Sequence, residues 1–187
     1  MINRFSHLFQ LLTACCILLF FATSARADSA AHLFQPFIGS FEGEATSTGD
    51  ELDKRFLRVS VEETSETSFH LIWETTANKS DGREKTSLHE VEFQLSERDG
   101  IFSSAMRKNM FGKWQRLNPM KGDPYIWAKI EDRTMIVYAM IITEDGGYEM
   151  QQYNRKLVSK DQIELTFQRI RDGVALKTVT GILDRIN

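Results

Sequence analysis

The sequence predicts an all-β chain that closes into an antiparallel up-and-down β-barrel of about ten strands, entered through a short N-terminal helical turn. Three observations carry this expectation. Apolar and polar residues alternate with period two along most of the chain, turn residues sit at nearly every junction, and no long segment repeats apolar residues at helical spacing.

The barrel is expected over residues 28–187, because residues 1–27 read as a signal peptide. Arg4 supplies the positive start, Leu8 to Phe21 the apolar run, and Ala25-Arg26-Ala27 a small-residue cleavage site before Asp28. The run is too short for a membrane span, which needs roughly 20 residues. Leu12-Thr13-Ala14-Cys15 has the look of a lipoprotein box, yet Cys15 lies inside the apolar run and not at its end. The expectation is therefore a periplasmic or secreted protein, cleaved after Ala27. Both cysteines, Cys15 and Cys16, leave with the leader, so the mature domain must hold by packing alone. With Arg4 and Arg26 removed, the 23 basic residues fall to 21 against 26 acidic ones, a net charge of −5. No basic field exists to attract nucleic acid.

A short apolar turn from His32 to Ile38 runs into Gly39, and an opening strand follows with Phe41, Gly43 and Ala45 on one face. Leu57, Val59 and Val61 alternate with polar residues, as do Phe69, Leu71 and Trp73, and then His89, Val91, Phe93 and Leu95. Shorter runs cover Ile101–Met106 and Tyr125–Ile130. The second half is a meander of strands, Thr134–Thr143, Tyr148–Leu157, Gln162–Arg171 and Val174–Ile186. Its turns fall at Glu144-Asp145-Gly146-Gly147, Ser159-Lys160-Asp161 and Asp172-Gly173, the last suited to a two-residue hairpin with positive φ.

Even-length turns place odd residues of one strand opposite even residues of the next, and opposed residues share a face. On that rule Val137, Met150, Gln152, Asn154 and Phe167 join Trp73, His89 and Phe93 in an apolar interior with a few polar handles, Thr178 and Thr180 among them. Such a lining suits a small hydrophobic molecule with one polar end. Tyr125, Trp127, Tyr138 and Tyr153 then form an aromatic outer face. The 106–123 segment, with Trp114 among basic residues, either covers that face or joins it in contacting a homodimer or cell-envelope partner. A bulged three-residue hairpin would reverse this parity and turn the aromatic stripe inward.

Catalytic and metal sets are scarce. His32, His70 and His89 lack metal-ligand spacing, the mature chain has no thiol, and neither G-x-S-x-G nor H-E-x-x-H occurs. Adjacent carboxylates at Glu62-Glu63 and Glu144-Asp145 point apart. No cofactor and no catalytic residue is expected, and an enzyme on the same barrel is the third reading after ligand binding and partner contact.

Gly39-Ser40-Phe41 after a helical turn, and Gly181-Ile182-Leu183-Asp184-Arg185 near the end, together resemble the first and last strands of the calycins, the superfamily of lipocalins and related lipocalin-like barrels. Phenylalanine stands where those proteins carry tryptophan. The resemblance implies that Arg185 stacks on Phe41 at the barrel floor and that the interior holds a small hydrophobic molecule. The similar haem-binding barrels use a late-strand histidine, which this sequence lacks.

Overall fold

The structure is a computed structural model that describes residues 31–48, 54–78, 82–104, 106–108 and 114–186. The proposed leader, 1–27, lies outside the described residues. A helical turn over 31–34 continues as a 3-10 turn, Gln35–Phe37, started by Pro36, whose fixed φ suits a first helical position.

The strands are β1 (Gly39–Thr48), β2 (Lys54–Ser65), β3 (Ser68–Asn78), β4 (Glu84–Leu95), β5 (Ile101–Ser104), β6 (Met106–Lys108), β7 (Trp114–Arg116), β8 (Tyr125–Glu131), β9 (Thr134–Ile142), β10 (Tyr148–Leu157), β11 (Gln162–Arg171) and β12 (Val174–Ile186). All except β6 and β7 pair antiparallel in one closed ten-stranded sheet, in the order β1-β12-β11-β10-β9-β8-β5-β4-β3-β2. This is an up-and-down barrel, and closure between β1 and β12 removes both sheet edges. The β6–β7 ribbon is a separate insertion between β5 and β8.

The lower half of the barrel is packed solid. Phe34 and Phe37 of the helical turn are buried with Phe41, Phe69, Phe93 and Phe102. Phe69 sits 5.2 to 5.3 Å from the rings of Phe34, Phe93 and Phe102. Arg185 lies over Phe41, 4.3 Å from the ring centroid, and donates hydrogen bonds to the carbonyls of Pro36, Ile38 and Lys160. Gly39 admits that guanidinium: its φ is +123°, and a Cβ there would meet Arg185 Nη1 at 2.4 Å. The opening turn is thus tied to the last strand.

Turn lengths decide which residues face inward. Asp172-Gly173, at φ 50° and 78°, forms the two-residue hairpin expected of it, and Asp132-Arg133 makes another at φ 47° and 62°. The β9–β10 turn departs from expectation. Thr143 still pairs across the hairpin with Gly147, leaving three residues, 144–146, with Gly146 at φ 82°. The β10–β11 turn, where Val158 bonds to Gln162, likewise encloses 159–161. Two odd turns reverse β10 alone. Met150, Gln152 and Asn154 therefore face outward, correcting the expected interior, while Glu149, Gln151, Tyr153, Arg155 and Leu157 face inward. A bulge after Arg169 leaves Leu176 unpaired and shifts β12 by one residue. This turns Thr178 and Thr180 out and brings Val179 and Gly181 in.

Candidate functional site: a divided cavity in the upper barrel

Above the phenylalanine floor the barrel is hollow. One cavity of about 150 Å³ lies among β2, β3, β4, β10, β11 and β12, with Leu57, Val59, Leu165, Phe167 and Val179 in its walls. A second, of about 340 Å³, lies against β3, β4 and β8 to β10, walled by Val91, Ile126, Val137, Ala139 and Ile141. Trp73, His89 and Tyr153 line both, and so divide one interior into two compartments.

These three side chains come together through register. Trp73 pairs directly with His89 across β3 and β4, and their rings stack at 5.0 Å and 22°. Tyr153, from the far wall, reaches Trp73 at 5.5 Å and Phe167 at 4.7 Å. His89 is open toward the mouth but sits within the barrel wall, and this desolvation lowers its pKa. Burial pushes the Tyr153 phenol up to about 12. Its hydroxyl donates to Gln151 Oε1 at 2.9 Å, and Gln151 Nε2 donates to Glu149 Oε1 at 3.0 Å. Arg169 closes the chain on Glu149 at 2.7 Å, and this hydrogen bond holds the Glu149 carboxyl below its usual range.

At the base of the smaller compartment lies Arg155, 1% exposed. Its Cζ lies 5.6 Å from the Trp73 centroid and 5.7 Å from that of Tyr153, two rings that are themselves in contact. Its Nε and Nη1 are buried and have no hydrogen-bond partner among the described residues. Desolvation lowers its pKa to about 10, which leaves it charged at neutral pH. Taking such a charge out of water costs several kcal/mol when nothing pairs with it.

Among the described residues β4 and β5 pair at Gln94–Ser103 and Leu95–Phe102, and β6 lies beside β4. Leu117 and Pro124, from the stretch connecting β7 to β8, line the larger compartment.

Of the residues expected inside, Trp73, His89, Val137 and Phe167 line the cavity, whereas Phe93 belongs to the packed floor. On the outer face Trp127 and Tyr138 stack at 5.0 Å, with Tyr125 half exposed beside them. Tyr153 is not part of that face, since the reversed β10 carries it inside. The side chain of Trp114 lies outside the described residues. The even-turn rule puts Arg155, like Tyr153 two residues before it, on the outer face, and the signal that places it inside is Gly146 at the third turn position. Among the described residues, no group of three or more His, Cys, Asp or Glu is placed to hold a metal ion.

No family model matches the chain, and no curated protein matches it. Solved structures do. The S-type phycobiliprotein lyase CPES from Guillardia theta aligns with a TM-score of 0.55 at 9% identity, over 85% of this chain and 93% of that one. EF1p2_mFAP2b bound to DFHBI aligns at 0.42 and 15% identity, over 84% of this chain and 100% of that one. A redesigned β-barrel, mFAP1, bound to DFHBI, aligns at 0.40 and 17%, over 84% and 99%. At such identities the likeness to the lyase speaks for the fold alone.

Proposed function

We propose that this chain is an exported, lipocalin-like barrel that binds a small lipophilic molecule in its interior, by burial and without covalent chemistry. The observation that carries the reading is the divided cavity. The larger compartment alone, about 340 Å³, falls within the range of roughly 300–1,000 Å³ in which small-molecule sites lie. Its walls are mostly aliphatic and aromatic, with Glu90, Gln151, His89 and Tyr153 as the polar members. Export to the periplasm or beyond rests on the leader pattern of residues 1–27.

Native mass spectrometry of the protein purified from its own host tests this. The expected result is a bound mass in the range of a lipid or small amphiphile, released on unfolding. A ligand-free mass, with no uptake of fluorescent fatty-acid probes, would sink the reading.

A second reading, a homodimer or envelope-partner surface, is favoured by one observation: the Trp127–Tyr138 stack on the outer face, flanked by half-exposed Tyr125. Replacing Trp127 and Tyr138 with Ser should then abolish self-association or partner capture. Loss of stability with unchanged association would mean that the stack serves only the barrel.

A further inference from the structure

Arg155 poses a chemical question that the barrel itself leaves unanswered. A guanidinium offers five N–H donors in one plane, and aromatic rings above and below that plane satisfy its faces, not its edges. Trp73 and Tyr153 lie together on one side of Arg155, their centroids 5.6 and 5.7 Å from its Cζ and 5.5 Å from each other, and neither supplies an acceptor for its donors. The edge donors at Nε and Nη1 stay unpartnered, and no acidic side chain among the described residues is paired with the charge. Glu149, the acid on β10 itself, is engaged with Arg169. An ordered water would satisfy one donor and leave the charge uncompensated. Arg55, a second cation, borders the same compartment, with Glu74 also at its boundary.

We infer that the natural occupant of this cavity is an amphiphilic monocarboxylate, its head group paired with Arg155 in the smaller compartment and its apolar tail in the larger one. The inference rests on the ligand-binding reading above and specifies the ligand class. A carboxylate fits for three reasons. It carries the single negative charge that one guanidinium lacks, it is planar like the donor edges, and it is acceptor-only when ionised. Trp73, His89 and Tyr153 line both compartments, so a molecule that spans them must pass along these three side chains. A neutral lipid of the same length would fill the larger space and leave the buried charge unmatched.

Calorimetric titration of the full chain with octanoate and with octanol separates these cases. Octanoate is expected to bind roughly tenfold to a hundredfold tighter, the range of a hydrogen bond to a charged group. Arg155→Met should erase that preference, retain octanol binding, and melt no lower than the parent protein, because an unmatched buried charge has gone. Should Arg155→Met fail to fold, Arg155→Lys keeps the charge without the planar fork and should weaken octanoate while sparing octanol. Equal affinity of the parent protein for both probes would overturn the carboxylate assignment and leave the lipophilic reading standing. Binding of neither would overturn both. A preference that survives in Arg155→Met would overturn the role given to Arg155.

Discussion

Phe41 and Arg185 come from opposite ends of the barrel sequence and meet at its base. Phe41 is 1% exposed, and Arg185 covers its ring while holding three backbone carbonyls of other segments. Phe41→Ala should therefore cost about 3–5 kcal/mol in urea denaturation. Arg185→Met should cost about 2 kcal/mol through lost charged hydrogen bonds. The double variant should fall short of the sum by about 1 kcal/mol, the ring–cation coupling; strict additivity would show that the stack contributes nothing. This pair was anticipated through the resemblance of its two short motifs to the first and last strands of calycins, and it depends on no turn count. A second residue-scale prediction concerns acid. The Arg169 hydrogen bond holds the Glu149 carboxyl below its ordinary value in the folded state. The stability from that pair is present above the ordinary glutamate pKa and is lost as pH falls through the depressed one. Glu149→Gln should accordingly lose less stability than the parent protein between about pH 5 and about pH 3. An unchanged acid limb would show that the pair is solvent-screened at the rim.

β10 shows what governs an element's orientation. Its sequence, Tyr148 to Leu157, alternates polar residues with other polar or amphipathic ones, so hydrophobicity alone does not select a face. The turns select it instead. The three-residue turn 144–146 sets Glu149 opposite Ile141 and Tyr153 opposite Val137, and the turn 159–161 returns β11 to the expected orientation. Counting the first turn as even reverses β10, and counting both as even hides the error, because Ile163, Leu165 and Phe167 come out inward all the same. Gly146 is the residue that betrays the first turn; the second has no positive-φ residue to mark it. The bulge after Arg169 is equally silent in sequence. Replacing 144–146 by a two-residue Asn-Gly turn should force β10 to choose between its turn and its core face. The expected outcome is loss of cooperative thermal unfolding with dye binding at low temperature. Retained cooperativity would mean that the flanking pairing with β11 alone fixes the strand.

The whole molecule divides its work by height. The closed sheet was legible as a pattern, because alternation and turn spacing survive small errors in register, whereas of the phenylalanine floor only Phe41 was placed and Phe93 was expected in the cavity lining. The cavity lining was legible only in part, because one slipped turn exchanges every side chain on a strand. The cavity's emptiness follows from size: below, six phenylalanines fill the barrel, whereas above, Ala139 and Val179 present small side chains to the centre. Stability and binding should then separate under mutation. Ala139 lines the larger compartment, between Ile126 on β8 and Gln151 on β10. Ala139→Phe should fill that space and abolish uptake of fatty-acid probes, while urea stability changes by less than about 1 kcal/mol. A collapsed, already packed interior would instead be strained by the added ring, at about 1–3 kcal/mol. Phe41→Ala should do the reverse, weakening the fold while leaving probe affinity of the folded fraction intact. If both variants lower stability and affinity together, floor and cavity are one cooperative core, and the barrel's hollow half is no independent binding compartment.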